Sequence, residues 1–202
     1  MSKDHWESIY STKKMTEVSW YQKIPRTSLE LIKKVAKNKD ASIIDVGGGD
    51  GSLVDELIQL GYYNITVLDI SENAINKVKQ RLGIIGENVK WVVSDINEFN
   101  PNQRYDVWHD RATFHFLTKE SEIERYKSLV NQYVNNNRHL ILATFSKNGP
   151  DKCSGLLVRK YSDKSQALIF KDCFTSLDSF NYQHPTPFGT IQDFTFSLFI
   201  RK

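Results

Sequence analysis

The chain has 202 residues, 40% of them hydrophobic, and a formal net charge of +3, which suffices for one well-buried core and excludes little by size. So small a positive balance, with no basic block, argues against a nucleic-acid partner. No window approaches the run of about 18 apolar residues that a membrane span needs. The start, Met1-Ser2-Lys3-Asp4-His5-Trp6, lacks the apolar stretch of a signal peptide. Two cysteines, Cys153 and Cys173, make neither a disulfide framework nor a metal site by themselves, and no cluster with ligand spacing implies a metal. The default expectation is a cytoplasmic protein forming one domain over 1–202, of unspecified oligomeric state.

In chain order, residues 1–25 carry Trp6, Tyr10, Trp20 and Tyr21. Arg26-Thr27-Ser28 opens a predicted helix over 29–38. A strand follows at 42–46, then a glycine-rich turn and a helix over 53–60. The β-branched run 64–70 reads as a second strand, Ser71 caps a helix over 72–82, and 89–93 reads as a third strand. Residues 105–109 form a fourth strand. The segment 119–133 is amphipathic, with Ile123, Tyr126, Leu129, Val130 and Tyr133 on one helical face, and 139–145 is the fifth strand. Such alternation implies a parallel sheet with helices on both faces. After Pro150 the rhythm changes to a helix over 162–172 and two strands at 175–182 and 194–200. The last alternates Phe194, Phe196, Leu198 and Ile200 inward. These two are read as a hairpin, joined through His184-Pro185-Thr186-Pro187-Phe188-Gly189.

The chemistry is concentrated at Ser42-Ile43-Ile44-Asp45-Val46-Gly47-Gly48-Gly49-Asp50-Gly51-Ser52. A strand that breaks into glycines and resumes as a helix lets backbone approach a nucleotide-like cofactor. A dinucleotide fingerprint needs a third glycine where Ser52 stands. The glycines instead follow a G-x-G-x-G spacing at 47, 49 and 51. Asp69 lies 20 residues past Gly49, where an acid accepts hydrogen bonds from a ribose diol. Ser94-Asp95-Ile96 ends the third strand, placing a carboxylate for an adenine amine and Ile96 for the ring face. Three acids at successive strand ends suit a cationic adenosyl sulfonium better than a pyrophosphate. The plainer alternative is that each acid caps the helix after it.

These motifs resemble motif I and the acidic loops of the class I S-adenosylmethionine-dependent methyltransferases. The resemblance implies a Rossmann-like, doubly wound, mostly parallel seven-stranded α/β sheet ending in an antiparallel hairpin. It also implies S-adenosylmethionine as cofactor, with Asp45, Gly47, Gly49, Asp69, Ile70, Asp95 and Ile96 around it over a core at 40–145. The N-terminal His5-Trp6-Glu7-Ser8-Ile9-Tyr10 and Val18-Ser19-Trp20-Tyr21 resemble the opening of elongation-factor lysine methyltransferases and, more distantly, of thiopurine methyltransferases. By that likeness Trp6, Tyr10 and Trp20 or Tyr21 form an aromatic lid over the cofactor; the alternative is an anchor that pins the segment to the domain.

Asp106-Val107-Trp108-His109-Asp110-Arg111-Ala112-Thr113-Phe114-His115-Phe116-Leu117 stands where this fold places the substrate beside the methyl group. With Gly149-Pro150-Asp151-Lys152-Cys153-Ser154-Gly155, it resembles a bacterial subgroup of small methyltransferases. It lacks the Asn/Asp-Pro-Pro-Tyr motif of amine-methylating relatives. If the strand ends at Trp108, His109 borders the adenosyl group and Asp110 faces the substrate as the catalytic acid–base group. Alternatively, Asp110 and Arg111 form a plain salt bridge. His115 between two phenylalanines reads as a buried structural histidine rather than a base. Residues 146–202 are expected on the substrate side, bringing Lys152, Cys153, Arg159, Tyr161 and His184 over the sheet. The expected function is methyl transfer to a small-molecule acceptor, a thiol, carboxylate or amine. Protein-lysine methylation and a catalytically silent cofactor-binding module are the alternatives.

Overall fold

The computed structural model describes residues 2–202; Met1 lies outside the described residues. The chain runs α1 (Lys3–Thr12), α2 (Arg26–Val35), β1 (Ile43–Val46), α3 (Leu53–Gln59), β2 (Ile65–Asp69), α4 (Glu72–Leu82), β3 (Lys90–Val93), β4 (Tyr105–Arg111), α5 (Glu120–Tyr133) and β5 (Val134–Phe145). It continues through the short pair β6 (Lys152–Cys153) and β7 (Leu156–Leu157), α6 (Asp163–Phe170), β8 (Phe174–Pro185) and β9 (Ile191–Arg201). The seven-stranded sheet has the order β3-β2-β1-β4-β5-β9-β8. All pairs from β3 to β5 are parallel, and β9 and β8 are antiparallel. The doubly wound sheet and its terminal hairpin are as expected.

The central strands are apolar on both sides and separate two cores. On one face Ile43, Val67, Val107, Ile141, Ala143, Phe194 and Phe196 pack against Leu29 and Ile32 of α2 and Leu53 and Leu57 of α3. On the other, Ile44, Leu68, Trp108, Leu140, Leu142 and Phe199 meet Ile123, Tyr126, Leu129 and Val130 of α5 and Phe170 of α6. Each fully buried aliphatic or aromatic side chain contributes roughly 1.5–3 kcal/mol of transfer free energy, so both helix layers are firmly held. β9 lies inside the sheet and buries Phe199 as well as Phe194, Phe196 and Leu198. Phe194, Phe196 and Leu198 share one core as expected, but the strand is buried on its other face too, because Phe170 of α6 packs on Phe199. β8 is the edge strand, and its polar run Ser176, Asp178, Ser179 and Asn181 leaves it largely exposed, a composition that discourages further pairing.

Four differences from the sequence expectation bear on the site. Residues 3–12 are helical: Ser2 caps the helix at His5, and Trp6 and Tyr10, one turn apart, are its buried residues. α2 starts at Arg26, three residues early. β4 extends to Arg111 rather than ending near Trp108. β5 takes in the Asn135–Asn137 run, whose Asn137 has a φ of 57°; low strand propensity conceals it in the sequence. No described helix is long and apolar enough to cross a membrane. Among the described residues, no group of three or more His, Cys, Asp or Glu is placed to hold a metal ion.

Candidate cofactor and active site

Register builds the floor of the site. Asp45 of β1 and His109 of β4 are partners on adjacent parallel strands, so their side chains leave the sheet on one face. His109 Nδ1 lies 2.7 Å from Asp45 Oδ1, and its Nε2 lies 2.9 Å from Ser28 Oγ of α2. Nδ1–H donates to the carboxylate, and Nε2 shares a hydrogen bond with the Ser28 hydroxyl. Both nitrogens are engaged, so His109 holds Asp45 in place and presents no free base. Sequence reasoning missed Ser28, because α2 reaches it only in the fold.

The glycine turn joins this floor. Gly47 and Gly48 donate N–H bonds to Leu68 O at 2.7 and 3.2 Å. Gly47 and Gly49 have φ values of 67° and 57°, a region costly for residues with a Cβ. A Cβ on Gly47 would fall on Thr113 Oγ1, and one on Gly49 would fall on the Tyr10 hydroxyl. Asp69 ends β2 with only 5% exposure. Its Oδ2 accepts the Gly49 N–H and its Oδ1 the Ser71 N–H, both at 2.8 Å. Burial pushes its carboxyl up to about 6, with Asp45 and Asp50 adding to the rise and those two hydrogen bonds opposing it. Arg81 of α4 pins the turn from outside, donating to Asp50 O at 2.8 Å and Gly51 O at 2.7 Å while paired with Asp55. A helix-face arginine twenty-six residues from its ion partner carries no local signal of that role.

The pocket around these residues has a volume of about 1070 Å³, part of it open to solvent. Asp45, Gly47, Asp69, Ile70, Ser94, Ile96 and His109 line it, whereas Gly49 and Asp95 do not. Gly49 instead orients Asp69. Asp95 Oδ1 accepts the Asn97 N–H at 2.9 Å and the Asn97 side-chain amide at 3.1 Å. At this strand end, Ser94 and Ile96 thus form the wall.

An aromatic cluster from α1, the segment after it and the turn after β4 lines the pocket. Trp6 meets Trp20 and Phe116 edge-on at centroid distances of 5.8 and 5.2 Å, and Tyr10 lies 6.2 Å from it. Phe116 belongs to the turn after β4 and was not singled out as a contributor. The indole N–H of Trp6 is buried without a partner, a donor free for a bound molecule. Glu7 fastens α1 to the domain. It accepts the Ser71 hydroxyl at 2.8 Å, the Glu72 N–H at 2.7 Å and the Asn73 N–H at 3.1 Å, capping the start of α4 from another helix.

β4 decides which acid–base groups face the pocket. Because it remains a strand to Arg111, its side chains alternate, and Asp110 leaves on the face opposite His109 and Arg111. Asp110 is fully buried. It accepts the Thr113 and Phe114 N–H groups at 2.9 and 3.2 Å and the Tyr126 hydroxyl at 2.8 Å. Burial pushes its carboxyl up to about 6 against these hydrogen bonds and nearby His109. Asp110 therefore clamps the turn that carries Ala112, whose φ is 73°, and the expectation that it faces the substrate is corrected. The alternative salt bridge is absent too: among the described residues, Arg111 has no ion pair.

The C-terminal residues divide. Cys153 lines the pocket, but burial pushes its thiol up to about 12, with Arg111 pulling slightly the other way, so it is not a ready nucleophile. His115 accepts the Phe145 N–H at Nδ1, and burial pushes its ring down to about 3. His184 contacts Ser19 O at 2.8 Å, and burial pushes it down to about 4. Tyr161 belongs to the opposite core, Arg159 pairs with Glu120 at 2.5 Å, and Lys152 is exposed.

Residues 43–133 match the family model of a methyltransferase domain. The chain is 30% identical over 127 residues to the eEF1A lysine and N-terminal methyltransferase of Mus musculus, covering 60% of this chain and 18% of that protein. It is 32% identical over 77 residues to malonyl-[acyl-carrier protein] O-methyltransferase 2 of Ilyobacter polytropus, covering 38% and 29% respectively. The chain thus spans well under two thirds of the length of either relative. In fold, it superposes on the N-methyltransferase NodS of Bradyrhizobium japonicum, solved with S-adenosyl-L-homocysteine. The TM-score is 0.73 at 14% identity, over 98% of this chain and 99% of that one. Over residues 43–133 the chain is thus similar to a methyltransferase domain, and its fold is that of an enzyme solved with S-adenosyl-L-homocysteine. The relatives include enzymes named for protein and for small-molecule acceptors alike.

Proposed function

We propose that this protein methylates a small-molecule acceptor whose nucleophilic atom is already deprotonated, or nearly so, at neutral pH. The observation that carries the reading is the aromatic lining that Trp6, Tyr10, Trp20 and Phe116 give the pocket, a concave, largely apolar surface of the kind that takes small molecules. Asp69 has spare lone pairs on both oxygens for a ribose diol, Ile96 supplies an apolar wall for the base, and the aromatic lining suits a sulfonium. Bound S-adenosylmethionine supplies an electrophilic methyl group with a good leaving group.

The chain's own part is to position the acceptor in line and exclude water, effects worth up to roughly 7–11 kcal/mol in ideal cases. General-base help is scarce. His109 has both nitrogens engaged, Asp110 faces away, and burial first, then Asp69 and Asp50, raises the Tyr10 hydroxyl well above its usual range. A lysine amine needs about 4–5 kcal/mol to lose its proton at pH 7 and a thiol about 2, whereas a carboxylate needs nothing. That ranking favours a carboxylate or thiol over an amine.

Likeness to the elongation-factor lysine methyltransferases supports the second reading, protein-lysine methylation. Calorimetry with S-adenosylmethionine and S-adenosylhomocysteine, with Asp69→Ala as control, tests the cofactor assignment: no binding by the wild type would sink it. Tritiated-methyl transfer in a lysate, split into small-molecule and protein fractions, then separates the readings. Label confined to protein would overturn the small-molecule acceptor.

A further inference from the structure

Arg111 is the only lysine or arginine among the residues lining the pocket. Its Nη1 donates to Trp20 O at 3.1 Å, and its guanidinium carbon lies 5.0 Å from the centre of the Phe194 ring. Its Nε and Nη2 are buried without a partner. These two nitrogens form one edge of the guanidinium, the edge that receives a carboxylate or phosphate through two parallel N–H···O bonds. The nearby acid, Asp45, is occupied by His109. In this half-buried side chain the bidentate edge itself is buried and free, which is costly unless a ligand completes it.

Resting on the methyltransferase reading, we propose that Arg111 is the receptor for an anionic group of the methyl acceptor, a carboxylate or phosphate oxyanion. Placement favours the acceptor over the cofactor's own carboxylate. The cofactor-side groups sit on β1, β2 and β3, at Asp45, Asp69 and Ser94. Arg111 ends β4 beside β5, with the Phe194 ring of β9 against it and Tyr182, Cys153 and Asp45 near enough to act on its charge. Its pairing with Ala143 of β5, and of Ala143 with Phe196 of β9, fixes this side of the pocket. The aromatic ring and the Trp20 carbonyl orient the guanidinium plane, so it acts as a specificity determinant. Burial pushes its pKa down only to about 10, and it remains a cation at neutral pH. A cation here also disfavours a lysine ammonium and selects an acid.

The test titrates sodium benzoate, benzamide and inorganic phosphate into wild-type protein, with and without S-adenosylhomocysteine, by ligand-detected NMR. The same titrations are made on Arg111→Met and Arg111→Lys. The expected result is binding of benzoate or phosphate in preference to benzamide. Anion affinity should fall at least about tenfold in Arg111→Met and less in Arg111→Lys, while S-adenosylhomocysteine affinity stays within about threefold. Equal affinity for benzoate and benzamide in the wild type would overturn the proposal, and that comparison stands even if neither variant folds. Unchanged anion binding in Arg111→Met would overturn it also. A large loss of S-adenosylhomocysteine affinity in that variant would assign the guanidinium to the cofactor's carboxylate and overturn it too. Failure of the wild type to bind S-adenosylhomocysteine would sink the methyltransferase reading, a result distinct from the anion titrations without cofactor.

Discussion

The hydroxyl of Tyr10 occupies the place that a Cβ on Gly49 would take, so the N-terminal helix and the glycine turn pack as one unit. Gly49→Ala must both adopt a φ of 57° and displace Tyr10. We expect a stability loss of about 1–2 kcal/mol together with weaker binding of S-adenosylmethionine. In a Tyr10→Ala background, the second effect should shrink, a non-additivity that a double-mutant cycle by calorimetry and thermal melting reads directly.

Glu7 ties the same helix to the start of α4. Burial pushes its carboxyl up, but hydrogen bonds from Ser71, Glu72 and Asn73 outweigh this and hold it below the usual range. The anchoring is therefore fully present above the unfolded value of about 4.3 and fades as pH falls through the lower folded value. Glu7→Ala should leave the sheet intact and raise amide exchange across residues 3–12. Unchanged protection there would show that Trp6 and Tyr10 hold the helix without it.

Asp69 links cofactor binding to pH. Its carboxyl sits at about 6 in the free protein, and only its ionised form accepts both hydroxyls of a diol and favours a cationic ligand. S-adenosylmethionine affinity should be flat above pH 6 and fall nearly tenfold per unit below it. Asp69→Asn should bind weakly with no such slope. Titration calorimetry from pH 5 to 8 checks both.

Asp110 carries a different pH dependence, one of stability. Its folded value of about 6 exceeds the unfolded value near 3.9, so its charge opposes folding. That cost is absent below about pH 3.9 and grows to about 3 kcal/mol above pH 6. Asp110→Asn keeps an acceptor for Thr113 and Phe114 and removes the titration, so denaturant unfolding should lose its decline across that window. Asp110→Ala leaves two N–H groups and the Tyr126 O–H donor without an acceptor, although Trp108 still donates to the Tyr126 oxygen, and should cost about 2–4 kcal/mol at pH 7.

The legible parts of this chain were those written in short-range pattern. The glycine spacing at 47, 49 and 51, the acid closing β2 and the apolar periodicity of 119–133 depend on neighbours within a turn or two. The N-terminal helix escaped because its two buried residues, Trp6 and Tyr10, are too few to show a face. The β6–β7 pair escaped because each strand has two residues.

What the sequence by itself determined is the fold class and the glycine turn with the acid that closes β2, because turn chemistry and periodicity are local properties of the chain. What only the tertiary structure decided is which side chains of β4 face the pocket. β4 continues to Arg111, and strand alternation sends His109 and Arg111 to one face and Asp110 to the other. A strand ending at Trp108 would have permitted a different assignment. The pairing of β4 with β1 then satisfied His109 through Asp45, and Trp20 and Phe194, from opposite ends of the chain, meet at Arg111, which has no ion pair among the described residues.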